Sequence, residues 1–221
     1  MNDWNTLLPS MHVDTFTREH LPPPEQWPVF IADRPELQYP DTLNCAAELV
    51  DRHVAEGLGQ RVAVHGLHDI DQRSGPFSWT YAQLQDQVNR IAQVLTHDMG
   101  LLPGNRVLLR GGNSPMMAAC LLASFKAGLV AVPTMPLLRA GELATIIDKA
   151  QVSAALCDSV LADELRHCMT EGHTHHAPRL QQVLEFRSSA AQGLEQRMLR
   201  QLRQHEADLL RNAQTSPRLL T

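Results

Sequence analysis

The chain has 221 residues, 43% hydrophobic and 19% charged, with a formal net charge of -5. That composition suits a globular protein of one large or two small domains, and it excludes a global electrostatic pull toward nucleic acid or an anionic membrane. The N-terminus has no cationic start followed by an apolar core, and the longest apolar run, Met116 to Phe125, is too short to span a bilayer. The four cysteines are scattered, and Cys120, Cys157 and Cys168 fall in apolar patterns where a free thiol behaves as a small hydrophobe; Cys45 does not. A reducing, cytoplasmic setting is expected, with no membrane and no nucleic acid as partner.

Residues 1–41 form a first, proline-rich segment: seven of the 14 prolines lie in the first 40 residues, "HLPPPEQWP" among them. Proline removes a backbone donor and restricts its neighbour, so this stretch is predicted to wrap the surface, with Trp4, Phe16, Trp27 and Phe30 as anchors. Residues 42–221 are the globular part. From Thr42, the spacing of Leu43, Ala47, Val50 and Val54 predicts one helical face closed by Gly57. Next, "RVAVHG" alternates as a strand and "SGPFSWT" offers a turn and a second strand, an antiparallel pair. Thr80 and Gln83 stand at capping-box positions of a helix that buries Leu84, Val88, Ile91, Ala92 and Leu95 and ends at Gly100.

Strand and helix then alternate: strand 106–110, helix 115–127, strand 129–132, helix 140–149, strand 152–157, helix 159–169. This spacing predicts parallel strands joined by right-handed crossovers, hence an α/β sheet covered on both faces. After the polar break "TEGHTHHAPR" come a last strand, "LQQVLEF", and a helix through Leu194, Met198, Leu202 and Leu209. Its Arg197, Arg200, Arg203 and Arg211 alternate with Glu195, Glu206 and Asp208, the pattern of a solvated helix face. No internal repeat is present.

Between Arg110 and Met116 the chain reads Gly111-Gly112-Asn113-Ser114-Pro115, a strand-turn-helix junction of the kind that grips phosphate. The dinucleotide fingerprint needs three glycines at fixed spacing, and the P-loop ends in Gly-Lys-Ser/Thr; neither pattern is here. Asn113 or Ser114 as cap, Pro115 in the first turn and Gly128 at the end account for the same residues by folding alone. His173, His175 and His176, with Cys168 nearby, invite a zinc reading, but their spacing matches no standard site and the segment reads as an exposed loop. His65, His68 and Asp69 sit beside a turn, where solvated histidines are common. No nucleophile elbow and no supported Cys/His pair occurs.

The order "WTYAQLQDQVNRIAQVL", "GNRVLLRGGNSPMMAACLLASFKAGLVAVPTMPLLRAGEL" and "IIDKAQVSAALCD" resembles the N-terminal part of the AMP-forming acyl-CoA synthetases and ligases, the adenylate-forming superfamily, over about residues 40–160. Trp79 to Leu84 and Lys126 to Pro133 match its scaffold signatures. Within it, "HVDTFTREHLPPPEQWP", "YPDTLNCAAELVDRHV" and "TMPLLRAGELATIIDKAQVSAALCD" look most like 2-aminobenzoate-CoA ligases and benzoate-CoA ligase.

The resemblance implies a parallel-sheet layered N-terminal subdomain and a two-step reaction. A carboxylate attacks the α-phosphate of ATP to give an acyl adenylate, and the CoA thiol then displaces AMP. ATP, magnesium and CoA are the implied cofactors, and an aromatic carboxylic acid is the implied substrate. The family's Ser/Thr/Gly-rich phosphate loop ending in Pro-Lys, its ribose-binding acidic residue and its C-terminal lysine have no counterpart in these residues. No residue is therefore carried over as catalytic, cofactor-binding or metal-binding, and the chain is expected to be inactive alone. Arg139 is the first residue to test against a CoA phosphate. The sequence reads as a truncated ligase whose tail "SPRLLT" reflects a frame change or early stop, prone to self-association. The rival is a non-catalytic fragment or interaction module.

Overall fold

The computed structural model describes residues 10–28, 34–35, 40, 42–67 and 76–203. Trp4, Phe30, His68, Asp69, Glu206, Asp208, Leu209, Arg211 and the "SPRLLT" tail lie outside the described residues. A helical turn α1 (Phe16–Glu19) and a 3-10 turn (Pro24–Gln26) interrupt the proline-rich segment. Val13 and Asp14 donate from their backbone N–H groups to the Pro103 carbonyl, both at 3.0 Å. Gly104 makes this approach possible: its φ is +91°, and a Cβ there would stand 2.1 Å from the Asp14 carbonyl oxygen. Of the expected anchors, Phe16 lies 4.7 Å from the Arg106 guanidinium in cation–π geometry. The Trp27 indole donates to the Pro22 carbonyl, 2.6 Å away within the same segment.

The helical face expected from Thr42 is corrected. Leu43 is exposed and precedes the helix, whose first amides, Ala46 and Ala47, donate to the Asn44 side chain. Two π-helical turns, Ala47–Asp51 and Val54–Leu58, widen the period of segment 45–58, so Ala46 and Val50 are its buried residues. Gly57, at φ +82°, lies inside the second turn.

Strands β1 (Val62–Gly66) and β2 (Phe77–Thr80) pair antiparallel, as their alternation predicts. Thr80 and Gln83 close the capping box of α2 (Tyr81–Gln93) at 3.3 and 2.9 Å. Leu84, Val88, Ile91 and Leu95 are buried, while Ala92 packs at the margin. A π-turn, Val94–Asp98, continues this helix, and Gly100 ends it at φ +67°.

The remaining strands are β3 (Arg106–Arg110), β4 (Val130–Thr134), β5 (Ala154–Asp158) and β6 (Gln182–Phe186), all parallel in the order β4-β3-β5-β6. The connecting helices are α3 (Pro115–Lys126), α4 (Ala140–Ala150) and α5 (Ala162–Met169), with a further helix α6 over 194–203. Strands β4 and β5 each start one or two residues later than their hydrophobic runs, because Leu129, Val152 and Ser153 serve as buried or half-buried lead-ins. The helix expected over 159–169 begins with a 3-10 turn, Ser159–Leu161, because Asp158 caps Val160.

The sheet is covered on both faces, as alternation through β3 and β5 requires. Val107, Leu109, Ala154, Leu156, Leu184 and Phe186 face the core shared with α2, α3 and α6. Leu108, Ala155, Cys157 and Val183 face α4 and α5.

Candidate functional site

In open α/β sheets, ligands bind beyond the carboxyl ends of the strands, where the strand order reverses. Here the chain leaves β3 for β4 on one side and returns to β5 on the other, so that point lies between β3 and β5. Four rim segments follow these strands.

The first, Gly111 to Ser114, is the junction weighed as a phosphate cradle. Ser114, not Asn113, is the cap: its hydroxyl accepts from the Met117 N–H at 3.2 Å, and its carbonyl accepts from Ala118 at 3.1 Å. Gly111 is needed for packing, since a Cβ there would stand 2.8 Å from Phe186 Cζ and 3.2 Å from Met117 Sδ. A Cβ at Gly112 would meet nothing within 4 Å. Phe186 thus fills the space at Gly111 but not at Gly112, and two amides of α3's first turn are already bonded. These residues do not fit a triphosphate.

The second and third segments, Met135 to Arg139 and Ser159 to Leu161, are fastened by Arg110. Its side chain is 1% exposed, and it donates to the carbonyls of Met135, Pro136, Leu138 and Leu161 at 3.0, 2.9, 2.8 and 3.3 Å. Arg139 lies beyond this loop, 81% exposed, paired with Glu164 at 2.8 Å. Glu164 also accepts from the Ala140 N–H at 2.8 Å and so caps α4 from the neighbouring helix. Hydrogen bonds from Arg139 and Ala140 hold its carboxyl below the usual range. A phosphate would have to compete with Glu164 for Arg139.

In the fourth, Asp158 at the end of β5 is buried and pairs with Arg187 at 2.9 Å. Arg187, at φ +55°, donates its backbone N–H to Glu195 Oε1 at 2.6 Å, and Ser159 donates to the Arg187 carbonyl at 2.8 Å. Ser159 and Thr134 are both occupied with carbonyls, Thr134 with that of Leu109 at 3.1 Å. Burial, above all, pushes the Cys157 thiol up to about 12, leaving it protonated at neutral pH. The rim therefore holds fixed charges and hydrogen bonds but no activated nucleophile.

Two clefts among the described residues lie at the opposite end of the sheet. One, of about 660 Å³, is lined by Met11, His12, Asn44, Cys45, Pro103 and Lys126; the other, of about 450 Å³, by Asp14, Arg106, Gln151 and Arg179. His173 and His175 lie in the loop between α5 and β6, with His175 packed on Gly141, two residues from Arg139, and neither lines the two clefts. Cys168 is buried and donates to the Ala140 carbonyl at 3.4 Å. Among the described residues no group of three or more His, Cys, Asp or Glu is placed to hold a metal ion. No described helix is long and apolar enough to cross a membrane.

Sequence reasoning missed Arg110, Asp158, Glu164, Arg187 and Glu195. Arg110, Asp158 and Arg187 share one signal: a charge placed at or just past the last position of an apolar strand, in "RVLLR", "AALCD" and "VLEFR".

Comparison with known proteins completes the picture. An acetyl-coenzyme A synthetase of Streptomyces coelicolor is 40% identical over 88 residues, 39% of this chain. A salicyl-AMP ligase / salicyl-S-ArCP synthetase of Mycobacterium tuberculosis is 39% identical over 87 residues, again 39% of the chain. The matched residues span only 13% and 15% of those relatives' lengths. Among solved structures, the N-terminal domain of FACL13 from Mycobacterium tuberculosis superposes with a TM-score of 0.58 at 21% identity, over 71% of this chain and 36% of that one. The anthranilate CoA ligase AuaEII, solved with anthranoyl-AMP, gives 0.56 at 16% identity over 70% and 27%. These two likenesses concern the fold. Residues 51–216 match the family described as AMP-binding enzyme, and the chain, with its parallel α/β sheet, belongs to that family.

Proposed function

We propose that these residues are the N-terminal scaffold of an ATP-dependent, AMP-forming ligase that joins an aryl acid of the 2-aminobenzoate or benzoate type to CoA. The family match across residues 51–216 carries the ligase reading. The aryl-acid reading rests on the segments 12–28, 39–54 and 134–158 and is supported by 39% identity to the salicyl-AMP ligase. The 40% identity to acetyl-coenzyme A synthetase favours a second reading, a small aliphatic acid.

In such an enzyme ATP with magnesium would supply the activated phosphorus and CoA the accepting thiol. Residues 1–221 contribute support: Arg110 fixes two loops, Phe186 fills the turn after β3, and the Asp158–Arg187 pair holds the ends of β5 and β6 together. No charge-stabilising step runs through the described residues. Alone they are expected to release no pyrophosphate from ATP with benzoate, 2-aminobenzoate or acetate, because alignment and charge stabilisation are both missing.

Transplantation tests the reading. The matched segments of salicyl-AMP ligase and of acetyl-coenzyme A synthetase would each be replaced by the corresponding residues of this chain, and acid-dependent pyrophosphate release measured. The aryl-acid reading expects more retained activity in the salicyl host. The reverse ranking favours the aliphatic reading, and loss in both hosts despite folding rejects the scaffold role.

A further inference from the structure

The loop between α5 and β6 carries a cluster of imidazoles that the ligase reading leaves unused. His167, in the last turn of α5, and His173 stack with ring centroids 4.8 Å apart and planes 7° from parallel. His175 stands 5.7 Å from His173, and its backbone N–H donates to His173 Nδ1 at 3.2 Å. That bond fixes a protonation state: Nδ1 must present a lone pair, so His173 is neutral with its proton on Nε2. Lone pairs lie in the ring planes, so two nearly parallel rings direct theirs side by side and do not converge on one metal ion.

The same loop is folded by His173 N–H to Thr170 O at 3.1 Å, His176 N–H to His173 O at 2.9 Å and Ala177 N–H to Cys168 O at 2.7 Å. Across from it, His175 packs on Gly141 of α4, where a Cβ would stand 3.1 Å from the ring. The charged and titratable groups around the pair are few. From α5 come Glu164, already paired with Arg139, and the buried Cys168 thiol. At the start of α4 Arg139 and Glu142 flank Gly141, and the loop itself adds Glu171, His175 and His176. Among the described residues no carboxylate is bonded to the His173 ring.

We propose that His173 is an acid-sensitive latch: neutral, it closes the α5–β6 loop by accepting from His175, and protonated beside His167 and His175, it releases that loop. Protonation turns Nδ1 from acceptor into donor, so the bond to His175 N–H is replaced by a clash of two donors. It also sets a cation 4.8 and 5.7 Å from two other imidazoles, His167 and His175. Both effects favour opening as pH falls, and release would loosen the bond from Ala177 N–H to the Cys168 carbonyl that closes the loop.

Amide hydrogen exchange of the full chain, corrected for the intrinsic pH dependence of exchange, tests this. Protection across residues 170–177 is expected to fall at least tenfold between pH 7.5 and 5.5, while the amides of β5 stay protected. His173→Asn, which keeps an acceptor at the same place but takes up no proton there, is expected to hold protection across the range. His173→Leu is expected to be unprotected throughout. Constant protection in the parent chain, or a parent-like pH response in His173→Asn, overturns the latch.

Discussion

The two arginines that bracket β3 face the same side of the sheet and are buried alike, yet they are satisfied in different ways. Arg106, at the amino end, pairs with the Asp14 carboxylate and also donates to the carbonyls of Ala150 and Gln151 at 2.9 and 3.1 Å. Arg110, at the carboxyl end, is held by four carbonyls and forms no ion pair among the described residues. The amino end is thereby closed by a charged partner that can be titrated or cut away. Around Arg110 the carboxyl end is closed by neutral carbonyl dipoles, with the Asp158–Arg187 and Arg139–Glu164 pairs beside them, and its loops turn Met135, Leu137 and Val160 outward at 64%, 81% and 72% exposure. Residues 13–16 close one end as a strap, and the other end presents exposed apolar side chains beside fixed charge pairs.

Removing Arg110 should break the comparison most severely. Arg110→Met strips the donors from four loop carbonyls at once, and a loss of about 3 kcal/mol in urea-unfolding free energy is expected. Next comes Gly104→Ala, which places a methyl group against the Asp14 carbonyl at a positive φ. About 2 kcal/mol and a strap that proteases cut readily between residues 10 and 20 are expected, with the sheet intact.

Asp14→Asn sharpens the contrast by pH. Burial by itself would raise the Asp14 carboxyl, but hydrogen bonds from Arg106, Phe16 N–H and Asn105 together outweigh it and hold it below its ordinary value of 3.8. A depressed carboxyl stabilises the fold fully above its unfolded pKa and loses that contribution as pH falls through the folded one. The parent chain should therefore shed about 1 kcal/mol, and its strap protection, below about pH 4, while Asp14→Asn lacks that step. The smallest effect is expected at the rim. Met135→Ser with Leu137→Asp should leave unfolding within about 0.5 kcal/mol of the parent and reduce self-association in sedimentation velocity. An unchanged sedimentation profile would place any association elsewhere, for example along the edges of β4 or β6.

Local features were legible in the sequence because their causes are local. Thr80 and Gln83 are three residues apart, and the Ser114–Pro115 start and Gly128 end of α3 need no knowledge of the rest of the chain. The alternation around 106–169 indicated a parallel sheet, though not the order β4-β3-β5-β6, which depends on packing between segments. Segment 45–58 was misread because its π-turns break the 3.6-residue period on which the expected face was based. The rim escaped for a different reason. Arg110 reaches carbonyls 25 to 51 residues away, and Glu164 caps a helix that begins 24 residues before it. No spacing rule connects such partners. The family was recognisable from its strand and turn segments, Trp79 to Leu84 and Lys126 to Pro133.

The fastening of the strap also has a consequence in time. Asp14 bonds to Asn105 across 91 intervening steps of chain, and Arg106 in turn holds the end of α4 at Ala150 and Gln151. On a ribosome Asp14 would wait through those 91 steps, until Asn105 and Arg106 emerge, before finding its place. A proline-rich segment suits that interval, since it has little helix or strand of its own to form in the wrong place meanwhile. The strap is made well before the residues that fasten it.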